Sequence, residues 1–495
     1  MKKIIYSLFA FALLASSCED MEFIEPDPQD RITIEIALSD LNGVNAVLNS
    51  AYNRLINQNY YGQEMMITPD VLADNLVVGV NTGRYIGEQV NQVRSHISIW
   101  DDPANPAGAA YSVRSTYNAY RTINDCNIIL ATLPDVASED EARAADIEGQ
   151  ARFIRALSYH DLLRVYSYEP GQEVGGWNSG VVIRTEAVLG ASGADIRTRS
   201  TNVEGYDLVK ADLTAAIALL PNAADVTQAP NRVSKEAAQA LLARVYLYEG
   251  SYALAATQAQ AALATTTATL VDGTVDTDGN GTDDYYDSWE EVVHPESIFE
   301  LAISLVDWNS VDGVNASLCS ITNTDAGYAG AIGAVRASAE FLAAFETGDI
   351  RSNLWVETAA DFTECRKWRG ELGDYRENIP LIRYSEVLLI LAEAKARTGD
   401  EPGALTDLNR LRTNRGLAAS TASGAALIDA VLAERRLELV TEGHRFFDMK
   451  RLGMDIAKPA SNGGGTFQYD DFRVIAPLNP DYLSINDLVG DNPNY

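Results

Sequence analysis

AAQALLARVYLYEGSYALAATQAQAAL, residues Ala237 to Leu263, decides the fold. Apolar residues recur at helical spacing up to Gly250, where a residue free to take the left-handed conformation can end a helix. Tyr252 then opens a second helix carrying Ala255, Ala259 and Ala262 on one face. Small residues at that spacing let two antiparallel helices approach closely.

The same design recurs along the chain. Ile382 to Leu417 is a second copy, with Gly399-Asp400 at the turn and Ala404 in the following helix. A third is split: Ile147 to Tyr168 reads as its first helix and Tyr206 to Leu220 as its partner, with a long insertion between. Such pairs are tetratricopeptide-like, and because none can bury its faces alone they must stack into a curved array. Other segments are helical by their apolar spacing. Ser39 to Asn59 carries a stripe of Leu41, Val44, Val47, Leu48, Tyr52 and Leu55. Tyr111 to Leu133 stops at Pro134, and Ser138 to Tyr168 is broken by Pro170 and a glycine-rich stretch. The expected organisation is one mainly α domain over residues 31–495. Its helical scaffold lies at 39–60, 110–168, 201–266 and 380–455, and its loop-rich parts at 61–109, 169–200, 271–375 and 456–495.

The first residues are of another kind. Met1-Lys2-Lys3 is followed by an apolar run from Ile4 to Leu14, then Ala15-Ser16-Ser17-Cys18. The run is too short to span a bilayer, and a secretory signal ending at Cys is the lipobox pattern of a bacterial lipoprotein. The expectation is removal of residues 1–17, lipid on Cys18, and a flexible acidic tether over residues 18–30 containing Pro26 and Pro28. Membrane attachment would be through that lipid alone. Glu19-Asp20 beside the cysteine is similar to a signal for the outer face of the outer membrane.

The 495 residues carry 38 Lys plus Arg against 70 Asp plus Glu, a net charge of −32. Such a surface repels nucleic acid and anionic head groups, and slightly favours a neutral ligand over an anionic one. Cys126, Cys319 and Cys365 remain beyond Cys18; three thiols cannot all pair internally, and Cys319 with Cys365 is the pair an exported chain could form.

Several stretches in order, YNAYRTINDCNIIL (Tyr117–Leu130), RALSYHDLLRVYSYEP (Arg155–Pro170), ESIFELAIS (Glu296–Ser304), IPLIRYSEVLLILAEAKARTGD (Ile379–Asp400), LNRLRTNRGL (Leu408–Leu417), ERRLELVTEGHRFFDMKRLG (Glu434–Gly453) and DNPNY (Asp491–Tyr495), together resemble the SusD/RagB family. The resemblance covers essentially the whole chain after Cys18. It implies a surface lipoprotein that binds glycans or other nutrients and acts as the lid of a SusC-like TonB-dependent outer-membrane transporter. Four tetratricopeptide-like helix pairs would form the scaffold and variable loops the ligand site, with no catalysis.

The four histidines, His96, His160, His294 and His444, are scattered, and no metalloprotease, nucleophile-elbow or phosphate-loop spacing occurs. Glu434, Arg435, Arg436, Glu438, Arg445, Asp448 and Arg451 form a dense charge set at helical spacings. An ion-paired lock between the last helices is the expected role, rather than catalysis through His444 with Glu442 or Asp448. Paired carboxylates are too abundant here to single out an acid and base, so a glycoside hydrolase stays open as an alternative. So does a helical-repeat adaptor for proteins or peptides.

Sugar rings stack apolar C–H faces on aromatic planes and offer hydroxyls to amide, carboxylate or guanidinium partners. Asp74, Asn75, Arg84, Tyr85, Trp100, Asp101 and Asn105 supply that mixture, and Trp308 with Asn309 supplies it again; by the resemblance both stretches reach one ligand face. Trp177-Asn178 is a further candidate, whereas Trp355 and Trp368 read as core. DTDGNGTDDYYD, Asp276 to Asp287, matches the spacing of a calcium loop. Asp276, Asp278, Asn280, Thr282, Asp284 and Asp287 would be the oxygen ligands and Gly281 would take the sharp turn. The expected ion is a structural Ca2+, with Asp at the last position closing the site less firmly than Glu would.

Overall fold

The computed structural model describes residues 37–79, 85, 111–190, 196–303, 317–324, 331–359, 362–370, 372–373, 376–478, 483, 486 and 488–495. Four helix pairs form its spine: α1 (Leu41–Leu55), with α3 (Tyr111–Val136) beyond the short α2 (Glu64–Leu72); α4 (Glu141–Tyr166) with α5 (Asn202–Leu219); α6 (Lys235–Glu249) with α7 (Tyr252–Thr265); and, after α8 (Asp284–Ser288), α9 (Leu318–Thr322) and α10 (Ala339–Leu342), α11 (Tyr384–Arg397) with α12 (Glu401–Asn414). Each pair packs on the next, α3 on α4, α5 on α6 and α7 on α11, so the array is continuous. The split third repeat is therefore a genuine pair, its two helices packed along their length despite the 35 residues between them.

Local chemistry sets the helix ends. Asp40 accepts from Gly43 N, Asp140 from Arg143 N, Ser234 from Ala237 N and Asp400 from Gly403 N, each satisfying an otherwise orphaned first-turn donor. Thr201 and Glu204 form a reciprocal capping box ahead of α5. Gly250 ends α6 at φ +78. Between pairs, side-chain size decides the spacing. Ala255, Ala259 and Ala262 are fully buried in α7, and a Cβ on Gly205 of α5 would stand 2.6 Å from Leu163 Cδ2 of α4.

Two elements depart from the expected pattern. The helix α3 runs to Val136, past Pro134, because a proline near a helix end forfeits only one backbone hydrogen bond. The segment Glu64–Leu72, read as loop, is the helix α2. All nine of its residues are buried, so no polar face exists to give it a period.

Among the described residues four two-stranded antiparallel sheets decorate the spine. They pair β1 (Leu76–Val78) with β3 (Val335–Ala337), β2 (Ser297–Leu301) with β6 (Ile379–Arg383), and β4 (Trp355–Ala359) with β5 (Phe362–Cys365). The fourth pairs β7 (Ile456–Ala457) with β8 (Thr466–Phe467). Two further helices, α13 (Ala425–Glu438) and α14 (Arg445–Arg451), close the array; α13 packs on α11 and α14 on α2. Among the described residues no helix is long and apolar enough to cross a membrane.

Candidate ligand-binding site

Arg84, Trp100, Asp101, Asn105, Trp308 and Asn309 lie outside the described residues, as does Cys18. Three of the described ends that flank these stretches, at Gly79, Ile303 and Ser317, are held in one hydrogen-bonded layer. At the end of β1, Gly79 N donates to Ala334 O (2.8 Å). Ser320 of α9 accepts from Ile332 N (3.0 Å) and Gly333 N (3.1 Å). Ile303 N donates to Asn378 Oδ1 (2.9 Å), and the neighbouring Glu377 accepts from Cys319 N (3.1 Å). Gly79 and Ser317 thus border a single patch built by β1, β3 and α9, and Ile303 adjoins it through Asn378 and Glu377.

Asp74 and Asn75 lie inside this patch rather than on its surface, their backbone carbonyls accepting from Ser338 beside β3. Asp74 takes Arg445 Nε at 2.7 Å and its terminal nitrogen at 2.8 Å, with Arg436 at 3.2 Å. Burial opposes ionisation of Asp74, but the Arg445 and Arg436 guanidinium groups hold its carboxyl below the usual range. Asn75 is wholly buried, donating to Asp70 Oδ1 (2.6 Å) and accepting from Arg436 Nε (2.7 Å). Tyr85 is buried, at φ +58. The polar groups of Asp74 and Asn75 brace the foundation of the site, and all three residues are buried, a correction to reading Asp74, Asn75 and Tyr85 as sugar contacts. Trp177 is half-buried and its Nε1 donates to Asn492 Oδ1 (3.1 Å), which ties it to the C-terminal DNPNY stretch. Trp368 is core, and Trp355 packs at the edge of a small cluster with Phe341.

The dense charge set is a buried ion-pair lattice. Arg351 bridges Asp349 and Glu434 (both 2.7 Å). Arg383 reaches Glu296 (2.8 Å), Glu438 (3.2 Å) and Glu442 (2.7 Å), and Arg415 reaches Glu296 (2.7 Å) and Glu438 (3.0 Å). Lys367 pairs with Glu442 (2.5 Å) and Arg412 with Glu434. A second strand of the lattice runs Arg435–Asp448–Arg451–Glu393. His444 sits within it, buried, its Nδ1 3.2 Å from Arg435. Burial first, then the surrounding arginines, push its imidazole well below its ordinary pKa. His160 and His294 are likewise buried and pushed down. None of these three imidazoles is exposed to a substrate.

In the Asp/Gly loop the candidate ligands serve the loop itself. Asp276 accepts from Gly279 N (2.7 Å) and Gly281 N (3.0 Å), and Asp278 from Asn280 N (3.0 Å). Asn280 accepts from Thr282 N (2.8 Å), while Asp287 accepts from Thr282 Oγ1 (2.5 Å) and Asn280 Nδ2 (3.1 Å). Asp284 turns to Thr277. Among the described residues no group of three or more His, Cys, Asp or Glu side chains is arranged to hold a metal. Cys126, Cys319 and Cys365 are all buried free thiols, so Cys319 and Cys365 are not bonded to one another.

Two features of the site escaped sequence reading: Asp70, which accepts from Thr441 N (3.0 Å), and Thr441 itself, which sits at φ +63 in the link between α13 and α14.

Sequence models of known families match two parts of the chain. The family described as "SusD family" matches residues 362–475, and "Starch-binding associating with outer membrane" matches residues 33–247. SusD-like protein P2 of Formosa agariphila is 24% identical over the full length of both chains. A SusD superfamily protein of Bacteroides thetaiotaomicron superposes with a TM-score of 0.78 at 24% identity, covering 92% of this chain and 100% of that one. A protein of Bacteroides vulgatus described as a putative sugar binding protein gives 0.77 at 24% identity, covering 92% and 99%. The fold and these matches define a class of helical-repeat proteins associated with the bacterial outer membrane. The chain belongs to the SusD/RagB family within it.

Proposed function

We propose that this chain is a surface-exposed, non-enzymatic glycan-binding lipoprotein. It captures an oligosaccharide or polysaccharide and delivers it to a SusC-like TonB-dependent transporter, over which it acts as a lid. The observation that carries the reading is the patch of β1, β3 and α9. It holds Gly79, the last described residue before Arg84, and α9, which begins just after the stretch with Trp308 and Asn309, on a hydrogen-bonded and ion-paired base. Rigid roots let loops present aromatic platforms at low entropic cost. The starch-binding description of the matching family supports a carbohydrate as ligand. The net charge favours a neutral one. Lipid on Cys18 at the end of an acidic tether would keep the lid beside its transporter while it swings.

The test is a glycan panel with the purified protein, read both for binding and for newly released reducing ends. Saturable binding without release supports the proposal. Binding that survives both Trp100→Ala and Trp308→Ala would remove the proposed platform, and turnover would make the protein a hydrolase. Calcium at Asp276–Asp287 is a separate proposal, carried by sequence spacing. It requires Asp276, Asp278 and Asp287 to exchange their loop hydrogen bonds for the ion. A melting curve that does not move between calcium and chelator would dismiss it.

A further inference from the structure

Thr441 lies in the link between α13 and α14, at φ +63 and wholly inaccessible to solvent. A β-branched residue rarely occupies that region of backbone space; glycine or asparagine would make the turn more easily. Its polar atoms tie together parts of the chain far apart in sequence. Its N–H donates to Asp70 Oδ2 (3.0 Å), and its Oγ1 accepts from Trp368 Nε1 (3.0 Å) while donating to Val440 O (2.6 Å).

From these two contacts a closed ring of hydrogen bonds runs through the roots of the candidate site. On one side Asp70 Oδ1 takes Asn75 Nδ2 (2.6 Å), and Asn75 O takes Ser338 N (2.8 Å), which fixes β1 against the end of β3. On the other, Trp368 O takes Asn323 Nδ2 (2.9 Å), which also holds Cys319 O (2.9 Å) at α9. Ser320 O, through Ile332 N and Gly333 N, closes the ring onto β3. Thr441 is where the two halves meet. A turn needed only for chain reversal would not need the hydroxyl.

We infer that Thr441 is a positioning residue: its amide and hydroxyl set the placement of β1 relative to α9, and through these roots the ligand affinity of the face they carry. The effect on affinity rests on the glycan-binding reading; the coupling of the two roots does not. Thr441→Val keeps shape and backbone strain and removes only the hydroxyl, leaving Trp368 Nε1 unpartnered. Thr441→Ser keeps the hydroxyl. Trp368→Phe removes the same hydrogen bond from its donor side, should the valine variant fold poorly.

Amide hydrogen exchange of the full chain reads the roots directly. In Thr441→Val, exchange in peptides covering 76–79 and 318–324 rises together by about tenfold, while peptides from α6 and α7 are unchanged; Thr441→Ser restores both roots. Affinity for whichever glycan the panel identifies falls about tenfold in the valine variant and recovers in the serine variant. Exchange that rises in only one root, in neither, or equally throughout the chain overturns the coupling. Coupled exchange with unchanged glycan affinity overturns the link to ligand. A wild-type protein that binds no glycan defeats the proposed function and the affinity half of the inference, while the exchange result still decides the joint.

Discussion

Replacing Glu438 with glutamine should destabilise the protein strongly. Its carboxylate is fully buried and faces Arg383 (3.2 Å), Arg415 (3.0 Å) and Arg351 (3.5 Å), with the Tyr285 hydroxyl donating to it at 3.2 Å. Five cations of the lattice, Arg351, Lys367, Arg383, Arg412 and Arg415, meet five buried carboxylates, Glu296, Asp349, Glu434, Glu438 and Glu442. Arg412 is also paired with the more exposed Glu346 (2.8 Å), so the loss falls on Arg383 and Arg415, which glutamine leaves with one buried carboxylate fewer. Removing one partner of a buried ion pair costs about 3–5 kcal/mol, because the other partner stays desolvated.

Urea unfolding followed by circular dichroism would read the loss as a lower midpoint at unchanged slope. Adding Arg415→Gln restores the charge count, so the double variant should lose less than the sum of the singles, with a coupling of about 1–3 kcal/mol. Burial works against ionisation of Glu438, yet Arg415, Arg383 and Arg351 hold its carboxyl well below the ordinary range. Its contribution is therefore full above the ordinary carboxylate pKa and disappears as pH falls through the depressed one, so the glutamine variant should show a shallower acid limb. A variant within about 0.5 kcal/mol of wild type would refute the claim that the lattice is a charge-balanced unit.

Three other outcomes follow from the same structure. Burial pushes Glu300 up to about 7, so the native state keeps a proton that the unfolded chain releases near its ordinary pKa. Its contribution to stability should fall as pH rises across that window by about 1.4 kcal/mol per unit, and Glu300→Gln should remove that slope from a series of urea titrations. Asn492 donates to Tyr166 O (3.0 Å) and Ala476 O (2.6 Å) and accepts from Trp177; Asn492→Ala should cost about 2–4 kcal/mol and open the C-terminal stretch to limited proteolysis. Gly250→Ala should cost about 1 kcal/mol from backbone strain alone, since no atom within 4 Å obstructs a Cβ there.

The scaffold was legible because its signals are local. Gly250 after an apolar-periodic run, the alanines of α7 and the caps at Ser234 and Asp400 all act within a few residues of where they are read. The base of the site was not, because its meaning depends on partners hundreds of residues away. Asp74 and Asn75 have the composition of an exposed polar stretch, and only their contacts with Arg436 and Arg445 turn them into a foundation. The helix α2 was missed for a related reason, since an element buried on every side carries no amphipathic period. The charge set of α13 and α14 read correctly as a lock, but the reach of Glu438 to Tyr285 in α8 and of Thr441 to Asp70 in α2 had no trace in spacing. In the loop Asp276–Asp287 the spacing is a strong local signal, and its side chains make hydrogen bonds within the loop itself.

The central claim is that this chain binds a glycan without cleaving it. Calorimetric titration of the purified protein with a panel of neutral oligosaccharides tests it most directly. Saturable binding to at least one of them is expected, abolished or weakened by Trp100→Ala or Trp308→Ala, with the sugar recovered intact. Heat from no member of the panel, or recovery of shortened sugars, would contradict it.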